Sequence, residues 1–143
     1  MLGLVRPDSW NLPLFLHVLG AMVLTGALAA TVVAAGRSDA SLLLRRVAFR
    51  TLLALVLPAW ILMRVTGQWT DSREPVGDGS TWLDIGYIVG DAGVLFLLVA
   101  TIVAWWGVRR PEQRWPARTV AVLATVYLAA LLVTMWAMTA KPD

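Results

Sequence analysis

Apolar positions run along this chain in four long blocks, at roughly residues 12–35, 47–66, 82–107 and 119–139. Neither a short alternating pattern nor a one-faced helical stripe describes them. A membrane crossing needs about 20 mostly apolar residues, and each block supplies that. Backbone polar groups find no water inside a bilayer, so each block is expected to be an α-helix. The pattern predicts an all-α bundle of four transmembrane helices, with residues 1–143 forming a single integral membrane domain.

The polar breaks set an orientation. "GRSDASLLLRR" follows the first block and "GVRRPEQRWPAR" the third, so Arg37, Arg45, Arg46, Arg50, Arg109, Arg110, Arg114 and Arg118 cluster at one end. The remaining break, "GQWTDSREPVGDGST", carries Asp71, Glu74 and Asp78 against Arg73. Short loops rich in arginine stay on the cytoplasmic side. Both termini and the acidic loop are then expected to be extracytoplasmic. The first block is too long for a signal-peptide core, and no basic segment precedes it, so it reads as a retained span. Pro13 is expected to open its helix, and Pro58 in "LVLPAWILMR" to kink the second. Ser38 or Asp39 is placed to cap a helical turn. Gly77, Asp78, Gly79 and Ser80 form a turn cluster. Trp10, Trp69, Trp82, Trp105, Trp106 and Trp115 fall near the expected interfaces, as an aromatic belt does. Trp60 and Trp136 fall deeper, toward the bundle interior.

Composition narrows the function classes. The chain is 59% hydrophobic, with mean hydropathy +0.72, well outside the range of soluble domains. Its net charge of +3 belongs to the orienting loops and is no nucleic-acid signature. Cysteine is absent, which removes disulfides, thiolate metal ligands and thiol nucleophiles. The sequence has no nucleophile–base triad, phosphate loop or zinc motif.

The informative residues are ionisable groups inside apolar blocks. Such groups are costly in a membrane and usually face the bundle interior with a partner. His17, the single histidine, lies about five residues inside the first block, at a rise of about 1.5 Å per residue. By the same measure Arg64 lies two or three residues inside the second block. Asp84 and Asp91 lie about two and nine residues inside the third. All four fall in the same half of the membrane. Asp84 and Asp91 are two turns apart and share a face, with Tyr87 between them. Arg50 and Arg64, fourteen apart, are expected to share a stripe. Gly86-x-x-x-Gly90 is a close-packing pattern, and with Gly93 on the same helix and Gly20 and Ala21 next to the His17 face it suggests that the first three helices approach closely there. The expected pairings are Arg64 with Asp84 near the surface and His17 with Asp91 deeper. A buried carboxylate without a partner takes up a proton, so Asp91 is the group expected to titrate unusually.

The expected site is thus an outward-facing polar pocket of His17, Arg64, Asp84 and Asp91, with Trp60, Gln68 and Tyr87 beside them. Three uses remain open: orienting the helices, holding a ligand or cofactor, and passing protons. His17 suits a proton partner or a metal or haem ligand. Met63, Met135 and Met138 fall at its depth, and a histidine with thioethers suits Cu(I). No metal site is assigned from the residues alone.

Several motifs carry a resemblance: His17 in the first helix, "RRVAFRTLLALVLP" entering the second, "TGQW" at its end, "TWLDIGY" opening the third and "AKP" closing the fourth. Together they resemble a superfamily of small four-helix membrane proteins. It includes HemJ-type protoporphyrinogen oxidases and CopD-like copper-resistance domains. The resemblance covers most of the chain and implies haem b at His17 as the first cofactor to consider, with copper after it. In HemJ-type proteins a lysine follows the Trp-Leu that opens the third helix; that position here is Gly86. With one histidine, bis-histidine haem would need two copies or a non-histidine second ligand.

The expected protein is a multi-pass protein of the cell membrane, the inner membrane in a bacterium. Its partners are the lipid bilayer and further copies or a larger membrane complex, with no nucleic acid. The leading function is that of a ligand- or cofactor-binding or accessory protein, non-enzymatic. Alternatives are a haem-linked HemJ-like oxidoreductase and a homo-oligomeric small-solute or proton-coupled transporter.

Overall fold

The computed structural model describes residues 8–38, 41–73 and 81–140. Asp39, Glu74 and the turn cluster Gly77, Asp78, Gly79 and Ser80 lie outside them. Everything regular among the described residues is helical: α1 (Asp8–Gly36), α2 (Leu42–Thr51), a π-helical segment (Leu52–Val56), α3 (Leu57–Arg73), α4 (Thr81–Arg109) and α5 (Trp115–Ala140). The α2, π and α3 segments are continuous, so there are four rods. Asn11–Gly36, Leu42–Arg73, Thr81–Arg109 and Trp115–Ala140 are each long and apolar enough to cross a membrane. Short connections make neighbouring rods antiparallel. The arginine-rich connections lie at one end of the bundle, hereafter the basic end, and α1 starts and α5 finishes at the other, the terminal end.

The helices outrun the expected blocks. Pro13 does not open α1, which starts at Asp8 and carries Pro13 as an internal residue. Only one intrahelical bond is lost there. The second rod continues past Gly67 to Arg73 instead of stopping near residue 66. A single glycine weakens a helix without ending it. The hydroxyls of Thr66, Thr70 and Ser72 also donate back to carbonyls of the same helix, at Leu62, Thr66 and Trp69. At the rod's other end Ser41, not Ser38, is the N-cap of α2 and accepts from the Leu44 N–H.

Small residues hold the rods together. The buried positions of α4 are Gly90, Gly93, Leu97, Ala100, Ala104 and Gly107, three or four apart. Bulky groups of α5 enter that seam. A methyl group added at Gly93 would meet the Tyr127 ring and hydroxyl, and one at Gly86 would meet the Met138 methyl. On the other side of the bundle, a Cβ at Gly20 would stand 2.8 Å from the Met63 backbone nitrogen, so α1 lies directly on α3. Without a hydrophobic force between helices in lipid, such close van der Waals packing is what binds them. Gly86 and Gly90 therefore do mark close packing, but Gly86 serves α4 on α5. The first three helices do not converge: α3 leans on α1, and α4 on α5.

The second rod divides the bundle into a closed half and an open half. In the basic half, α2 and the π segment lie against both α1 and α4. Pro58 then follows. It has no N–H to offer the Ala54 carbonyl, and the turn before it has widened so that the Leu57 N–H reaches Leu52. Beyond this point α3 stays on α1 and scarcely touches α4. The π turn, which holds more residues than an α turn, also shifts the fourteen-residue register between Arg50 and Arg64. Arg50 is exposed, whereas Arg64 is half-buried.

Arg45 seals the basic end. It is 6% exposed and has no acidic partner among the described residues. Its Nε donates to the Ser38 carbonyl, and its Nη1 to the carbonyls of Gly107, Pro111 and Gln113. A forked cation thereby ties the two arginine-rich connections and the last turn of α4 together, where the helix dipole favours positive charge.

Candidate functional site

Where α3 parts from α4, the terminal half of the bundle holds a cavity of about 570 Å³. All four rods line it. On α1 its wall runs from Leu14 to Thr25, about 17 Å at the helical rise. Most of the surface is apolar, from Leu14, Ala21, Leu83, Val89, Leu131 and Met135 among others, and a few polar side chains converge on it: His17, Thr25, Arg64, Thr70, Asp71, Tyr87 and Thr134. This size and mixture are those of small-molecule sites, which span about 300–1,000 Å³.

The imidazole of His17 is held by two features of α3. Its Nδ1 lies 2.8 Å from the Met63 carbonyl oxygen. A carbonyl only accepts, so Nδ1 carries the proton and donates. In the neutral ring Nε2 is then the basic nitrogen, and it has no hydrogen-bond partner among the described residues. Gly67 makes the room: a Cβ there would stand 2.9 Å from His17 Cε1 and Nδ1. Close approach at Gly20 and space at Gly67 seat the ring with its donor fixed and its acceptor left to whatever occupies the cavity.

The open seam between α3 and α4 is bridged by polar contacts. Trp60 Nε1 donates to the Gly90 carbonyl at 2.9 Å. Arg64 Nε donates to Asp91 Oδ1 at 2.8 Å, and its guanidinium sits over the Tyr87 ring, 5.0 Å from the centroid. The Tyr87 hydroxyl donates to Asp71 Oδ2 at 2.7 Å. Trp60, Arg64 and Asp71 are spaced four and seven apart, so one stripe of α3 faces one stripe of α4.

The expected pairings are therefore corrected. Arg64 pairs with Asp91, not Asp84, and His17 bonds a backbone carbonyl, not Asp91. The cause is the length of the second rod. Arg64 lies nine residues before the end of α3 and Asp91 ten residues after the start of α4, about 14 and 15 Å deep at the helical rise. Asp84 is three residues in and sits too near the surface. Asp84 and Asp91 do share a face, but it points away from the cavity, and both are exposed. Gln68 is exposed and off the cavity wall. Trp60 braces the seam. Trp136, expected inside, is 65% exposed.

Asp71 and several threonines of the wall, Thr134 among them, do not stand out in the sequence as site residues. Asp71 belongs to α3 and the cavity, not to a loop; its seven-residue spacing from Arg64 was the available signal. Thr134 faces the cavity from α5. The three methionines expected at the depth of His17, Met63, Met135 and Met138, all line the cavity with it. The described residues contain no group of three or more histidine and acidic side chains placed to hold a metal ion.

Neither a protein-family model, nor a curated protein, nor a solved structure matches this chain.

Proposed function

We propose that this is a multi-pass protein of the cell (inner) membrane that binds a small amphipathic ligand or cofactor in an outward-facing cavity, as a binding or accessory protein. One observation carries this reading. His17 is the only histidine, and its ring is seated in the cavity wall with Nδ1–H committed to Met63 and Nε2 left as an acceptor. A backbone bond to one nitrogen is the usual way in which proteins prepare the other to receive a proton, a donor group or a metal. Apolar walls would take the body of the ligand, and Arg64, Asp71 and Tyr87 its polar end. The arginine-rich loops support a cytoplasmic basic end by the positive-inside rule, and the cavity would then open on the opposite side.

The same nitrogen favours one specific version, a haem-linked protein resembling the HemJ type. His17 Nε2 would hold the haem iron, and the thioether of Met135 or Met138 is a second donor type lining the same cavity; such histidine–methionine ligation is known for haem. Haem would supply one-electron chemistry, while the chain would orient it through His17 and keep water from it with the apolar wall. At the position of the family's lysine, Gly86 leaves its space to Met138, so no amine stands there to act as a base.

The test is an absorbance spectrum of the protein purified in mild detergent, oxidised and dithionite-reduced, with metal analysis and small-molecule mass spectrometry on the same sample. A Soret band lost in His17→Ala supports the haem version. A colourless protein that retains a small molecule, lost in His17→Ala, supports the ligand-binding reading without haem. Equal loading of wild type and His17→Ala would overturn both.

A further inference from the structure

We propose that two copies of this chain pair in the membrane through the outward face of α4, with the Arg64–Asp91 pairs of the two copies meeting across the contact. The inference stands on a face that the cavity does not use.

Opposite its glycine seam, α4 carries a second regular stripe: Asp84, Ile88, Asp91, Leu95, Leu98 and Ile102, alternately four and three residues apart. That spacing keeps one face of a helix turned toward a partner helix. Among the described residues no helix covers this stripe, which meets the rest of the chain through the Arg64–Asp91 pair. Ile88 is 67% exposed, Leu95 65% and Ile102 63%. An apolar stripe is ordinary where lipid covers a helix, but Asp91 is not. Its side chain is 62% exposed, although it lies ten residues into a 29-residue helix. It is also off the cavity wall. Carboxylates at such depth face protein or water and are covered. Something must lie over this one.

A second copy is the occupant that the charges fit. Arg64 gives its Nε to Asp91, while its terminal nitrogens make no hydrogen bond to a described residue. Asp91 accepts at Oδ1, and Oδ2 has no partner among the described residues. Each copy thus brings both an uncommitted donor and an uncommitted acceptor to the same depth. Copies inserted with one topology are related by a two-fold axis along the membrane normal, so that like positions meet. Two Arg64 and two Asp91 then close a neutral ring in which each carboxylate is served by both cations. A foreign helix would have to bring a donor without adding charge. Arg64 also lines the cavity, so pairing would reach the binding site through the partner's Asp91.

Because the chain has no cysteine, single-cysteine variants report without background. Leu95→Cys and Leu98→Cys place a thiol on the proposed contact. Val33→Cys and Leu132→Cys, at positions 52% exposed on α1 and α5, are controls. All four are charge-conserving changes on the helix surface and leave the bundle's packing intact. After oxidation in vesicles made from the protein and phospholipid, disulfide-linked dimer should form in several-fold excess at Leu95→Cys or Leu98→Cys over both controls. Adding Asp91→Asn to the linking variant should reduce that excess. Linking at both α4 positions no greater than at the controls would overturn the proposal. So would native-membrane adducts at Leu95→Cys to a different protein with none to itself.

Discussion

His17 owes its position to two glycines on different helices. Gly67→Ala would put a methyl 2.9 Å from the imidazole, and relieving such overpacking typically costs about 1–3 kcal/mol. The expected outcome is a lower thermal midpoint in detergent together with loss of whatever depends on His17. Gly20→Ala should cost at least as much, because the atom it meets is the Met63 backbone nitrogen, which cannot rotate away. Gly26→Ala, with nothing within 4 Å of the new Cβ, should leave the midpoint near wild type. If Gly67→Ala matches Gly26→Ala, the seat described for the imidazole is wrong. Arg45 allows a parallel test at the basic end. Lysine keeps the charge but not the fork, so Arg45→Lys should lose about 2 kcal/mol from carbonyls left unserved. The same change at exposed Arg46 should be silent in the same thermal assay.

At the level of elements, the decisive feature is the turn before Pro58. The π segment and the missing N–H let α3 leave α4, and the cavity occupies the gap. Pro58→Ala restores a donor for the Ala54 carbonyl, and Pro58 is exposed, so the change opens no hole. It should therefore raise the thermal midpoint while reducing the binding of any cavity ligand. A variant that is both more stable and fully loaded would show that the turn before Pro58 does not hold the cavity open.

For the whole molecule, the two ends differ in build: one tied shut by Arg45, the other hollow. The proposed orientation, with the basic end in the cytoplasm, rests on the arginines and the positive-inside rule. A membrane-impermeant maleimide tests it on intact cells. Ser72→Cys, at the terminal end, should label from outside. Arg110→Cys should label only after permeabilisation. The reverse result would turn the cavity inward and change which solutes reach it.

The sequence by itself determined the number and type of elements. Burying backbone in lipid leaves helix as the only solution for an isolated apolar block, so hydropathy was enough. It also determined which residues were unusual: His17, Arg64, Asp91 and Tyr87 stand out because charge and polarity are expensive at those depths. It did not determine their partners. A helix end misplaced by seven residues moved Arg64 about 10 Å along the rod, enough to replace Asp84 by Asp91 as its partner. Hydropathy cannot find such ends, because a helix held by its own backbone bonds runs on through polar residues such as Thr66 to Ser72. The backbone carbonyl that receives His17, the carbonyls that hold Arg45 and the outward turn of Asp91 were decided only by tertiary structure. They depend on which rods touch, and in lipid that is settled by the fit of small residues against large ones; the spacing of the glycines marks a packing face but does not say which helix fills it.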